Sequence, residues 1–338
     1  MTAFAFALAW AAMSHYSLAL DSPGPLKRVV IVKIGEGRVK EESRKAAIKR
    51  FADEGLIDGR NVAIEFEERI ASSITGDGPW PVDSEQRARE IVASRPAVIM
   101  AAGDKIHLFR KITKEVPLVF FAIGRDPVEW GLVESYARPG GNLTGAAFPV
   151  GDSDDFLKLV QLFKEFRPGA KRLGVIEFED RLQNPHREKD LEEDRINAAK
   201  LGLEHVEIAL PRNVTAGAML DAIRRAKIDL LVCSAGVGWS PPVREFLVYE
   251  RIPFLCGDVR KDGLMDFNAS WDEMLQNAAA IAAQVVRGAN PATIPVRLPS
   301  RYILRVNVNT ARELGVTVPS SVLLQADEII DTDSRGAR

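Results

Sequence analysis

Short runs that are apolar at every position, not at every second one, constrain this chain most. Ala97-Val98-Ile99-Met100-Ala101 and Leu230-Leu231-Val232-Cys233 leave no face for water. Strands of that kind need helices over both faces of their sheet, which is the condition of parallel α/β architecture. The segments between the runs supply those helices. Residues 28–34 read as a strand, Gly35-Glu36-Gly37 as a loop, and 40–54 as a helix closed by Gly55. The alternation continues with strands at 61–67, 97–101 and 117–122 and helices at 84–94 and 104–115.

A second series of the same kind follows Gly141. Helices are expected at 152–166, 191–201, 216–226 and 242–250, and strands at 172–178, 205–209, 230–233 and 253–256. At 338 residues the chain is longer than one hydrophobic core serves well. The expectation is therefore two doubly wound parallel-sheet α/β domains joined by a hinge. The tail supplies a strand at 264–267, a helix at 275–287, a Gly/Pro-rich loop at 288–295, a strand at 302–307 and a short helix at 309–314. These crossings set the expected boundaries: residues 27–147 with 266–288 in the first lobe, 148–265 with 289–330 in the second, and 331–338 as a tail.

Residues 1–20 are apolar and Ala-rich, end in Ser17-Leu18-Ala19, and read as a signal peptide, although no Lys or Arg precedes Lys27. Ser14, His15 and Ser17 interrupt the stretch too often for a membrane span. Export to the periplasm is the expectation. The two cysteines, Cys233 and Cys256, end neighbouring strands and read as buried free thiols.

In open α/β sheets, ligands bind outside the carboxyl ends of the strands. That rule nominates Gly35, Glu36, Gly103, Asp104, Arg125, Asp126, Glu179, Asp180, Ala235, Gly236, Trp239 and Asp258. Helix N-termini near Lys40 and Asp104 present free N–H groups suited to a carboxylate. Asp104 also reads as an ordinary N-cap. Arg125 beside Asp126 offers a fork for a carboxylate and an acceptor for an amine, or an ion pair that only organises the loop before Pro127. Trp239 offers an indole for stacking, or a packing residue; Trp130 and Trp271 read as packing residues.

Other chemistries find little purchase. A net charge of −2 without long basic runs excludes a typical nucleic-acid binder. Gly35-x-Gly37 meets Lys40, and Gly236-x-Gly238 meets Pro241, where a dinucleotide fingerprint needs glycine. No G-x-S-x-G elbow occurs, and the four histidines stand singly, without metal-ligand spacing. No cofactor, metal or catalytic group is expected.

Asp126-Pro127-Val128, Gly131-Leu132-Val133 and Arg138-Pro139-Gly140-Gly141-Asn142-Leu143-Thr144-Gly145 stand in order behind Pro117-Leu118-Val119-Phe120-Phe121-Ala122. With Gly59-Arg60-Asn61-Val62, Arg287-Gly288-Ala289-Asn290-Pro291, Ala311-Arg312-Glu313-Leu314-Gly315 and Ala326-Asp327-Glu328, this pattern resembles the ABC-transporter substrate-binding protein family that includes tryptophan and tyrosine binders. The resemblance runs from about Val29 to Ile330. It implies a periplasmic-binding-protein type I fold with three hinge crossings, no enzyme activity, and delivery of a ligand to an ABC permease in the inner membrane, without naming the ligand. The expectation is a monomer that closes on a small polar organic ligand, with an amino acid or related carboxylate favoured. Two departures stand where cleft loops are expected: an extended loop at 70–83 containing Trp80, and Phe267-Asn268 where many relatives carry tyrosine and glycine, which adds Asn268 to the candidates. The rival readings are a sensing domain that feeds a membrane receptor and an α/β enzyme of unrecognised chemistry.

Overall fold

β1 (Lys27–Val32), β2 (Val62–Glu67), β3 (Val98–Ala102), β4 (Leu118–Ile123) and β5 (Leu143–Ala147) form one sheet in the order β2-β1-β3-β4-β5, parallel throughout. The computed structural model describes residues 25–331 apart from 33–40, 72–79, 124–125, 148–152, 180–184, 212, 234–240, 256–258, 260–261 and 301. Successive residues of β1 enter opposite cores: Val29 and Ile31 on one face, Val30 and Val32 on the other. This is why Val29–Val32 has no polar position.

The first face is covered by α1 (Glu41–Asp53) and α8 (Trp271–Val286), and the second by α2 (Val82–Ala93) and α3 (Lys105–Ile112). The Ala278–Ala283 stretch of α8 is fully buried and touches β3, β4 and β5, because small side chains let a helix lie close on a sheet.

A second parallel sheet, ordered β7-β6-β8-β9, contains β6 (Arg172–Phe178), β7 (Glu204–Leu210), β8 (Leu230–Cys233) and β9 (Phe254–Leu255). It has its own core, shared with α4 (Ser153–Lys164), α5 (Pro185–Lys200), α6 (Ala216–Ala226) and α7 (Pro241–Tyr249).

β10 (Met265–Ala269) and β11 (Tyr302–Asn307) make an antiparallel ladder, extended by β12 (Glu328–Ile330). This ladder joins the two cores: Met265, Leu304 and Val306 pack with the second sheet, Ala269 and Tyr302 with the first. The segment after Gly288 stays on the first sheet. Ile294 and Val296 enter its two cores, and the Arg297 N–H donates to Gly145 O at 2.9 Å. Residues 294–297 thus pack on the first sheet.

β5, β12 and α10 (Ser320–Gln325), which follows α9 (Val308–Leu314), gave no sequence signal. Leu-Thr-Gly-Ala-Ala is too small and mixed to read as a strand, yet every residue of it is buried. α8 begins four residues before the helix expected at 275, because the Ser270 hydroxyl accepts the Glu273 N–H at 3.3 Å and starts it at Trp271.

Candidate functional site

In each sheet the strand order reverses once, between β1 and β3 in the first and between β6 and β8 in the second. Crevices open at the carboxyl ends of such strand pairs. Gly35 and Glu36, expected beyond β1, lie outside the described residues, as does Arg125.

Beyond β3 the chain turns at Gly103, whose φ of +59° suits glycine and whose N–H donates to Phe121 O at 3.0 Å. Asp104 is already helical, at φ −62° and ψ −24°, and its side chain accepts no N–H of α3. The expected cap is therefore not made: a cap needs extended φ/ψ to swing its carboxylate over the first turn. The carboxylate instead lies 3.8 Å from Lys105 Nζ. Lys105 itself is 0% exposed, a residue that strand-end reasoning passed over. Its only sequence signal is a lysine opening the otherwise apolar start of α3. Two residues on, buried His107 meets Trp130 edge-on with ring centres 4.2 Å apart, so Trp130 packs as expected.

At the end of β4, Ala122 adopts φ +54° where the register with β5 shifts between Phe120 and Ile123. A non-glycine residue there carries strain, held by the packed strands around it. Asp126, four residues on, is occupied locally. Its Oδ1 accepts the N–H groups of Val128 (2.7 Å) and Glu129 (3.1 Å), and its Oδ2 accepts the Tyr136 hydroxyl at 3.1 Å. These bonds organise the turn before Trp130. Thr144 is fully buried in β5 and donates to Ile294 O at 2.7 Å, so Asn142-Leu143-Thr144 leads into a buried strand.

α8 starts at this same edge. Trp271 packs edge-on against Phe121 at 6.0 Å, as expected, while 38% of it stays exposed. Ser43 of α1 donates to Asp272 Oδ1 at 3.0 Å and ties the two helix starts together.

In the second sheet, Glu177 is 1% exposed near the carboxyl end of β6, and its Oε1 accepts the Phe178 N–H at 2.9 Å. Glu179 stands exposed just beyond. Asp180, Ala235, Gly236, Trp239 and Asp258 lie outside the described residues. Cys233 corrects the free-thiol reading, because it is disulfide-bonded. The chain has one other cysteine, Cys256, which is outside the described residues. The register of β8 with β9 pairs Leu231 with Phe254 and Val232 with Leu255. Asn268 is exposed on β10 opposite Ile303, next to Phe267, which stacks on Tyr302 with ring centres 5.3 Å apart.

A separate depression of about 580 Å³ flanks the outer strand β2, lined by Arg44, Arg69 and Arg87 against Glu65, Glu67 and Glu68. Burial pushes the Glu67 carboxyl up, but hydrogen bonds from the Arg69 side chain and N–H and from Arg87 outweigh it and hold it at about 2. Its charges balance. Among the described residues no group of three or more His, Cys, Asp or Glu could hold a metal.

Two parallel β/α sheets, each with a strand reversal opening at its carboxyl edge and joined by an antiparallel ladder, make the fold of the periplasmic-binding-protein type I class. Residues 28–330 match the family described as ABC transporter substrate binding protein, and the chain belongs to it. Proteins of this family work outside the cytoplasm. Among its relatives is a tyrosine-binding protein of Clostridioides difficile, 25% identical over 300 residues that cover 86% of this chain and 81% of that one. The fold is shared with an ABC domain in complex with L-Trp from Streptococcus pneumonia (TM-score 0.70, 22% identity, 90% of this chain and 100% of that one). A ligand-free, open substrate-binding protein with adhesive properties from Clostridium difficile also shares it (TM-score 0.68, 21% identity, 90% and 99%).

Proposed function

We propose that this protein is the extracytoplasmic receptor of an ABC importer that captures an amino acid between two lobes and presents it to a permease in the inner membrane. The observation that carries the reading is the family match, which spans both sheets and the ladder between them. A relative named for tyrosine binding supports an amino acid over a sugar. The lobes are the two sheets with their helices, hinged along β10 and β11, and closure traps the ligand between the strand reversals. The chain works as a monomer, without a cofactor and without chemical turnover.

The leader at residues 1–20 directs export and is removed in the periplasm. The disulfide at Cys233 fits that compartment, since disulfides persist where the milieu is oxidising. Among the described residues no helix is long and apolar enough to cross a membrane.

A thermal-shift screen of the chain from residue 21 against amino acids, aromatic acids, nucleosides and sugars tests the proposal. An amino acid is expected to raise Tm in a concentration-dependent way, because it binds the folded state alone. Stabilisation by sugars or nucleosides with none by amino acids would overturn the ligand class.

A further inference from the structure

β2 is the outer strand of the first sheet and pairs along one side with β1. An outer strand turns the N–H and C=O of every second residue away from its neighbour, and where they stay open another chain can add to them. The first half of this edge is closed by the residues that lead into it. Gly59 N–H donates to Val62 O at 2.9 Å, and Ile64 N–H donates to Asp58 Oδ1 at 2.9 Å. Residues 62 and 64 therefore face outward, and alternation turns the N–H and C=O of Phe66 the same way. Among the described residues no such closing bond reaches Phe66.

The depression of about 580 Å³ lies along this second half, with Glu65, Phe66, Glu67 and Glu68 in its wall. Its two sides differ. Toward α2, Glu67 accepts Arg87 Nε at 2.6 Å and Arg69 Nε at 3.1 Å, and Arg87 Nη1 donates to Glu90 at 3.1 Å, so that side is held by bonds already made. Toward α1, the Arg44 guanidinium stands 4.5 Å from the centre of the Phe66 ring. Its nearest carboxylate, Glu68, is 3.8 Å away, beyond hydrogen-bond distance, with 32% and 31% of the two side chains exposed. Among the described residues Arg44 makes no hydrogen bond. The ring fixes the guanidinium while its fork of donors stays unspent, and a carboxylate is the group that fork fits.

We propose that the open half of β2 is a docking edge for an extended segment of another protein, which adds as a further strand beside Ile64–Glu68 and sets an acidic side chain on Arg44. The backbone of the segment bonds to Phe66, and its side chains on the α1 face lie against the Phe66 ring. Those on the opposite face meet Glu67 and Arg87 and are polar. A second copy of this chain fits poorly: antiparallel pairing centred on Phe66 sets Glu65 of each copy opposite Glu67 of the other, and like charges directly opposite destabilise a ladder.

The test adds the acetylated, amidated peptide Thr-Val-Thr-Glu-Thr-Val-Thr, whose Val and Glu side chains share one face, to the isotope-labelled chain from residue 21. Saturable shifts of the backbone amides of residues 64–68 and Arg44 are expected, with slowed hydrogen exchange at the Phe66 N–H. Replacing the peptide's Glu by Gln should weaken binding about 5-fold, the upper scale of a half-exposed ion pair. Arg44→Gln should make the two peptides equal. N-methylation of alternate peptide amides should abolish binding for one set and spare it for the other, because a strand offers every second N–H to its neighbour. Absence of shifts at residues 64–68 with the peptide at millimolar concentration, or tolerance of both methylated sets, would overturn the docking edge. Sedimentation showing self-association that Arg44→Gln abolishes would overturn the choice of occupant. The docking edge is independent of the amino-acid reading, so either can fail alone.

Discussion

The ring of Phe267 stacks on that of Tyr302 at 5.3 Å and 24°, and the two rings belong to different cores: Phe267 packs against the second sheet's, Tyr302 against the first sheet's. Lys158 Nζ sits 5.0 Å from the centre of the Phe267 ring on its own side. This aromatic pair therefore bridges the two sheets at the ladder that connects them. Phe267→Ala removes both the stack and a half-buried ring, and is expected to lower stability by about 2–3 kcal/mol. Urea denaturation checks this. A change below about 0.5 kcal/mol would show that the stack contributes little.

Glu67 is held by two arginines, with Arg87 Nε at 2.6 Å and Arg69 Nε and Nη2 both at 3.1 Å. Its pKa is depressed, from an ordinary 4.5 to about 2. A depressed carboxylate stabilises the fold above its unfolded pKa, and that contribution is lost as pH falls from about 5 through 2. Glu67→Gln should cost at most about 3 kcal/mol at pH 7, reduced by the exposure of Arg69. Denaturation curves at pH 7, 4 and 2.5 should show the gap to wild type narrowing as pH falls. A gap independent of pH would contradict the assignment.

The Cys233 disulfide closes a loop through α7 to Cys256. For a loop of about two dozen residues, losing such a link costs about 3 kcal/mol in the chain-entropy description. The double variant Cys233→Ala/Cys256→Ala should melt lower than the oxidised wild type. Reductant should lower the melting temperature of the wild type and leave the variant unchanged.

Gly145 lies so close under β4 that a Cβ there would come within 2.2 Å of Phe120 O and 2.5 Å of the Phe120 ring. Backbone cannot yield cheaply, so Gly145→Ala is expected to destabilise by about 3 kcal/mol or more. A soluble variant with wild-type Tm would show that β4 and β5 separate more easily than their packing implies.

Much of the architecture was legible because local chemistry wrote it. The strands at Arg172–Phe178, Leu230–Cys233 and Tyr302–Asn307 and the helix at Ala216–Ala226 have the bounds their residues imply. The helix is fixed at one end by the Thr215 hydroxyl, which accepts the Ala218 N–H, and at the other by Lys227 in the left-handed region. β5 was illegible because its burial comes from Phe120 and Ile294, distant in sequence, and not from its own composition. The same holds at the site. Strand ends can be counted along a sequence, which brought attention to Gly103 and Asp104. The burial of Lys105 and Glu177 is a property of everything packed over them. The disulfide depended on strand register, which two apolar runs do not encode by themselves.

The central claim is that the chain binds an amino acid and returns it unchanged. Isothermal titration of the chain from residue 21 with L-tyrosine and L-tryptophan, followed by chromatography of the released ligand, tests it directly. The expected result is saturable one-to-one binding of at least one of them, with the ligand recovered intact. Absence of binding across the amino acids, or recovery of a converted product, would contradict the account.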